Sequence, residues 1–506
     1  MKLIVHMTDA LTSEPTVIMN SDDCLNLGVG PTDRVRISNV GSTVTTVLIA
    51  DSMVQKGTLL MPGYEMARCS LDDGDEAEVE YSPMPESIRS IRRKIDGLTL
   101  DEEELGSIVT DIFHGDLSQK EIIAFISAFN VNNSDMVEIA GLTRAMVSTG
   151  TTVDLGKGPL YDFHSLGGVP GNKITPIVVS IVASQGMRIP KLSSRAVSSA
   201  CGTSDYVDTF CDIEMDAASL KASVEKTGGV FACGNEDYAP VGRSIIDAER
   251  PMGIDPRPMM MASIMSKKVA IGTTHLLIDI PMGPGTKVPD LDVAEEYGSA
   301  FMELGKTLGI KVECAVTYGG QPLGRSIGPI LEARECIRIL ENGNGDADVV
   351  EKACGMAGML LEMGGMDDGF ERAREILRSG EAHRKFLEIV EVQHGDPALR
   401  SDCLVPGMFF KDIHAKRSGF VQYIDSASIV AIAKGAGAPA DVGAGIEFMH
   451  KVGDEVSKGD VLFRVYAENE AKLERAISSA RSRRPMRVDV RRPKGLPESV
   501  IVRKMM

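Results

Sequence analysis

The segment Asp162-Phe-His-Ser-Leu-Gly-Gly-Val-Pro-Gly-Asn-Lys173, followed by the apolar run 174–184, constrains the fold more than any other part of the chain. It reads as the end of a strand, a glycine-rich turn and the start of a helix. Gly167, Gly168 and Gly171 can take backbone angles that crowd other residues, so successive N–H groups can converge on one anion. A helix N-terminus adds partial positive charge at the same place. Pro176 suits the first helical turn and Gly186 the stop. The pattern proposes a phosphate seat; a tight strand-to-helix connection with no ligand would use the same residues.

A chain of 506 residues is too long for one core and implies two to four domains. Its net charge of −18 argues against a nucleic-acid partner, whose phosphates would be repelled. Any anionic small substrate must then find locally placed arginines and lysines. The nine cysteines include no CxxC pair, which favours free thiols over disulfides or a zinc site. No apolar run approaches the ~20 residues of a membrane span, and no leader pattern opens the chain, so a cytoplasmic protein is expected.

The texture changes along the chain. Residues 1–84 carry short β-branched or alternating runs at 34–37, 42–50 and 77–81, the mark of a small β domain. From 85 to 152 apolar residues recur at three- and four-residue spacing over 87–95, 101–113, 119–129 and 134–147, predicting a helical domain to which the chain returns at 240–272. Strand-like runs at 230–233, 275–280 and 312–317 alternate with helical stretches, predicting an α/β domain with a mixed sheet from 153–239 and 273–405. The last part, 406–506, reads as strand-rich at 419–424, 429–433 and 461–466, with a closing amphipathic helix. Its passage 452–462 resembles the hairpin of biotinyl/lipoyl half-barrels, but Tyr466-Ala-Glu-Asn-Glu-Ala471 stands where their modified lysine would be. The basic stretch Arg481-Ser-Arg-Arg-Pro485 reads as a solvated helix end.

Four more segments gather polar groups at predicted loop positions. In Pro190-Lys-Leu-Ser-Ser-Arg-Ala-Val-Ser-Ser-Ala-Cys-Gly-Thr-Ser-Asp205, Arg195 can grip a phosphate with paired N–H donors while Ser and Thr hydroxyls add neutral ones. The same loop could simply cap a helix, with Thr203 near its start. Asp255 precedes a helix opened by Pro258, where Ser263 and Lys267 share one face. The strand 275–280 runs into Pro281-Met-Gly-Pro-Gly-Thr-Lys287, and Thr317-Tyr-Gly-Gly-Gln-Pro-Leu-Gly-Arg-Ser-Ile-Gly-Pro329 follows another strand, with Glu332 in the next helix. Loops beyond the carboxyl ends of strands are where open α/β sheets bind ligands.

Taken in this order and at these intervals, the five segments resemble the thymidine/pyrimidine-nucleoside phosphorylase family, within it the archaeal-type AMP phosphorylase branch, over roughly 85–490. Ser-Arg-Ala-Val-Ser-Ser199 with Gly202-Thr203, and Ser263-Ile-Met-Ser-Lys-Lys268, are its most specific matches. The resemblance implies phosphorolysis of AMP to adenine and ribose 1,5-bisphosphate, with CMP and UMP as further substrates, no metal or other cofactor beyond phosphate as co-substrate, and a homo-oligomer. It implies that Gly168, Ser194, Arg195, Ala196, Val197, Ser198, Ser199, Thr203, Ser263 and Lys287 line the nucleotide site and that Asp255 is the proton donor. His164, Ser165 and Gly167 fall at the phosphate and Lys267 on the base side.

One departure bears on the phosphate. Many members of the family carry Lys-His-Ser before Gly-Gly, and here the residues are Phe163-His164-Ser165. Lys157 and Lys173 are the nearby candidates to restore the charge. Two other enzymes stay open, a phosphorylase of unphosphorylated pyrimidine nucleosides and a phosphoribosyltransferase of the anthranilate type. A catalytically silent nucleotide sensor on the same scaffold is the alternative from another class.

Overall fold

The computed structural model describes residues 1–9, 15–196, 199–234 and 237–506, with side chains for all of these but 250–252. It divides into two compact units, Met1–Gly150 with Ala239–Ser263, and Thr151–Tyr238 with Ile264–Met506.

The first unit opens with a closed six-stranded barrel. Its interior is filled by every second residue of the strands, as in Val35 and Ile37 of Arg34–Ser38 and Ala77 and Val79 of Glu76–Tyr81, all essentially inaccessible. Closure leaves no open sheet edge. Four helices follow: Ser87–Ile95, Glu102–His114, Gln119–Val131 and Met136–Ser148. Asp101 with Glu104, and Ser118 with Glu121, form reciprocal capping boxes, which fixes where two of them start. Inside this bundle Lys94 and Glu138 make a fully buried ion pair at 2.6 Å. The later helix Val241–Met252 packs on Glu102–His114 and Gln119–Val131, so the helical domain is discontinuous in sequence. Arg34 and Arg36 of the barrel reach Glu121 and Asp116 of the bundle.

The second unit is built on a four-stranded sheet. Tyr161–Ser165, His275–Met282 and Lys311–Tyr318 lie parallel, and Ile501–Met505 closes one edge antiparallel. Ile189–Ser193 and Gly229–Cys233 form a separate parallel pair. Helices Thr175–Ser184, Pro329–Asn342 and Ala347–Met363 contribute to the largest apolar core. The carboxyl ends of Tyr161–Ser165, Ile189–Ser193, His275–Met282 and Lys311–Tyr318 carry the polar loops singled out in the sequence.

The C-terminal part holds two small sheets and two packed helices. The run 429–433, expected as a strand, lies instead in the helix Ser426–Ala436. Asp425 caps that helix, and Ile429, Ile432, Ala433 and Ala436 are buried at helical spacing, so the apolar run is a helix face. Glu455–Val456 and Val461–Ala467, the strands flanking the half-barrel-like turn, pair into different sheets.

Candidate functional site

The glycine-rich turn takes the conformation its residues permit. Gly167, Gly168 and Gly171 have φ of 80°, 87° and 76°, all in the left-handed region. A Cβ on Gly168 would stand 3.4 Å from the Lys287 amide nitrogen, so the turn and the 283–288 loop are in direct contact. Gly167 N–H donates to the Ser165 hydroxyl at 3.4 Å.

Behind this turn lies a concentration of buried cationic side chains. Asp162, wholly buried in Tyr161–Ser165, accepts from Lys268 Nζ at 2.6 Å and pairs with Lys191 Nζ at 3.4 Å. Lys191 also donates to the Leu192 carbonyl at 2.9 Å, and its ammonium stands 5.0 Å from the centroid of the Phe163 ring. Burial first, and then the like charge of Lys268, bring Lys191 down to about 7 against the pull of Asp162. Lys267 is brought down to about 8, again by burial and then by Lys268. Burial and the charges of Lys268, Lys191, Lys267 and Lys287 hold His164 well below its ordinary value, so its imidazole is neutral. The charges of four lysines thus act on one imidazole at the end of a strand. This arrangement suits a dianion, with neutral His164 and Ser165 as hydrogen-bonding partners.

The two lysines expected to stand in for the charge missing at Phe163 are placed elsewhere. Lys173 is fully buried, donating to the Leu323 carbonyl at 2.8 Å and pairing with Glu335 at 3.2 Å. Lys157 is exposed, and its carbonyl accepts from Arg188.

The serine-rich loop is organised by Asp205. One of its carboxylate oxygens accepts from the amides of both Ala196 and Gly202 at 2.8 Å. A Cβ on Gly202 would lie 2.6 Å from Ala196 N, a packing that only glycine allows. Ser204 N–H donates to the Ser194 carbonyl, the Ser199 hydroxyl donates to the Cys201 carbonyl, and Thr203 begins the helix Thr203–Val207. The Arg195 guanidinium, expected to grip a phosphate, is held by Asp208 at 2.9 Å and Glu214 at 3.0 Å. Val197 and Ser198 lie outside the described residues.

Beneath this loop Glu332 is buried, accepting from Gly328 N–H at 3.1 Å. Burial pushes its carboxyl up to about 7, opposed by Lys173, the Gly328 amide and the Cys201 thiol. In the first unit Asp255 is exposed just before the helix Arg257–Ala270, and Ser263 lies on that helix beside Gly242. Lys191, Lys268 and Asp162 lie in the segments singled out above, but the sequence reading gave none of them a role at the site. Their signal was there: a lysine inside the buried strand Ile-Pro-Lys-Leu-Ser193 needs a buried anion, and Asp162 precedes the glycine turn.

Comparison with known proteins agrees with this architecture. Residues 157–383 match the model of the glycosyl transferase family a/b domain and 88–150 that of the same family's helical bundle domain. Residues 420–486 match the pyrimidine nucleoside phosphorylase C-terminal domain. The fold is shared with anthranilate phosphoribosyltransferase from Thermus thermophilus, at a TM-score of 0.52 and 19% identity, covering 60% of this chain and 99% of that one. Fold and domains together define a pentosyl-transferring enzyme of the glycosyl transferase class. AMP phosphorylase of Thermococcus kodakarensis is 43% identical across 97% of this chain and 98% of its own length. AMP phosphorylase of Pyrococcus furiosus is 42% identical across 96% and 97%, and AMP phosphorylase 1 of Archaeoglobus fulgidus 41% across 93% and 94%. The chain belongs to the AMP phosphorylase family.

Proposed function

We propose that the protein catalyses the phosphorolysis of AMP, releasing adenine and forming ribose 1,5-bisphosphate, with CMP and UMP as further substrates. The full-length relatives support the substrate class. The observation that carries the reading is the buried group of Lys191, Asp162 and Lys268 at the strand leading into the glycine-rich turn, where the lysine charges also keep His164 neutral, an anion site at the carboxyl end of a strand. In this reading the attacking phosphate is held by His164, Ser165, the Gly167 amide and the ammonium of Lys191, which supplies the charge that Phe163 lacks. The loop of Ser194, Arg195, Ala196 and Ser199 with Thr203 holds the nucleotide's 5′-phosphate. Gly168, Ser263 and Lys287 line the remaining nucleotide surface, and Lys267 faces the base.

Cleavage of the ribosyl C–N bond builds negative charge on the departing base and positive charge on the sugar. Phosphate attacks C1′ while Asp255, acting as general acid, protonates the purine. No cofactor enters the reaction; phosphate is a co-substrate. A homo-oligomer in the cytoplasm is the expected setting. Side-by-side assays on AMP, CMP, UMP, adenosine and uridine test the reading. Turnover of the monophosphates with little on the nucleosides supports it, and a preference for uridine would make the protein a pyrimidine-nucleoside phosphorylase.

A further inference from the structure

The C-terminal part contains a groove that the phosphorolysis site does not use. It has a volume of about 570 Å³ and lies between the edge strands Phe409–His414 and Met486–Asp489 and the end of the helix Glu470–Arg483. Its floor is apolar, with Phe463, Ile477 and Val488 buried. Five exposed cations line it: Lys416, Arg417, Arg481, Arg484 and Arg487. Among the described residues none of the five has a carboxylate partner. The lining's one carboxylate, Asp412, is already held by both nitrogens of the Arg464 fork, at 2.7 and 3.0 Å.

In a chain of net charge −18, five uncompensated cations around one concavity are a local reversal of sign. Like charges gathered this closely repel one another, a cost that a multiply charged anion removes. Four of the five are arginines, whose planar forks match phosphate oxygens in pairs. The apolar floor offers a flat body a place to lie, and the volume falls in the usual range for a small-ligand pocket, ~300–1,000 Å³.

We propose that this groove binds a nucleoside di- or triphosphate, its phosphate chain across Arg481, Arg484 and Lys416 and its base against Ile413 and Met486, apolar lining side chains that keep some exposed surface. The charge count sets the order of affinity: triphosphate above diphosphate, and AMP weakest. Such a site makes the enzyme responsive to the phosphorylation state of the nucleotide pool through a surface separate from its chemistry.

The test is calorimetric titration of the full-length protein, with the phosphorolysis site filled by AMP, against ATP, ADP and inorganic tripolyphosphate. The comparison is with the double variant Arg481→Glu, Arg484→Glu. The expected result is saturable ATP binding that weakens with salt and falls at least tenfold in the variant, while basal AMP phosphorolysis is unchanged. Tripolyphosphate binding more weakly than ATP assigns the floor to the base. Equal binding of the two overturns the nucleoside part of the proposal. ATP binding that the variant leaves intact, or no binding at all, overturns the site. A change in sedimentation mass caused by the variant, without loss of ATP binding, would make the groove an interface between copies instead.

Discussion

The ammonium of Lys191 stands 5.0 Å from the centre of the Phe163 ring, so a cation rests beside the aromatic side chain that precedes His164 and the glycine-rich turn. Phe163 comes from Tyr161–Ser165 and Lys191 from Ile189–Ser193, and the aromatic face gives the ammonium a weak additional partner. Lys191 shares Asp162 with Lys268, and that shared carboxylate does not offset its burial, since it is brought down to about 7.

Replacing Lys191 by Met should therefore do two opposite things. The KM for phosphate should rise at least tenfold with little change in the KM for AMP. Stability should increase, because the folded protein holds this lysine near 7 and the unfolded chain near 10.5. The sign follows from that order: the penalty is absent above 10.5, grows as pH falls, and is complete below 7, at on the order of 5 kcal/mol. Thermal melts of both proteins at pH 6 and pH 10 should show the variant's advantage at pH 6 only. An advantage independent of pH would mean that Lys191 is not a strained buried cation.

Asp205 should control nucleotide affinity without touching nucleotide. Asp205→Ala leaves the amides of Ala196 and Gly202 without their shared acceptor, a loss of about 1–3 kcal/mol for each donor left unsatisfied. Steady-state kinetics should show a raised KM for AMP and a smaller effect on kcat. An unchanged KM would separate this loop from the 5′-phosphate.

Glu332 gives a pH-dependent stability of the other kind. Its folded carboxyl sits at about 7, above its ordinary 4.5, so the native state is penalised as pH rises from 4.5 and fully so above 7. Glu332→Gln removes a penalty of about 3 kcal/mol. Denaturant titrations should find the variant more stable than the parent at pH 8 and close to it at pH 4.5.

Asp255→Asn keeps the shape of the side chain but has no carboxylic proton to give. Adenine release from AMP should fall by the ~10²–10⁴-fold typical of a lost general acid. UMP should suffer less, since a pyrimidine leaving group has no N7 to protonate. Near-parental activity on AMP would make Asp255 a helix-flanking residue and move the acid elsewhere.

The sequence carried the fold where periodicity and punctuation agree, as at Asp101 and Ser118, whose capping boxes start helices. It misled at 429–433, where a short apolar run fits a strand or a helix face equally well and only the cap at Asp425 tells them apart. The strand Ile501–Met505 was invisible because its partner, Lys311–Tyr318, lies nearly two hundred residues away, and pairing across such a span leaves no local mark. The candidate site was legible as loops but not as charge. Which lysine faces which carboxylate depends on strand register: Lys191 meets Asp162, and Lys173, nearer in sequence, turns to Glu335. Arg195 lies in the expected loop, yet its direction is set by Asp208 and Glu214, which no spacing rule pairs with it.

Phosphorolysis requires that phosphate, and not water or diphosphate, take the ribosyl group from AMP. Incubation of AMP with ¹⁸O-labelled phosphate, followed by mass spectrometry of the sugar product, tests it directly. The account predicts adenine and ribose 1,5-bisphosphate in equal amounts, the label confined to the C1 phosphate, and no adenine when phosphate is left out. Adenine released at the same rate without phosphate, with unlabelled ribose 5-phosphate as its partner, would contradict it.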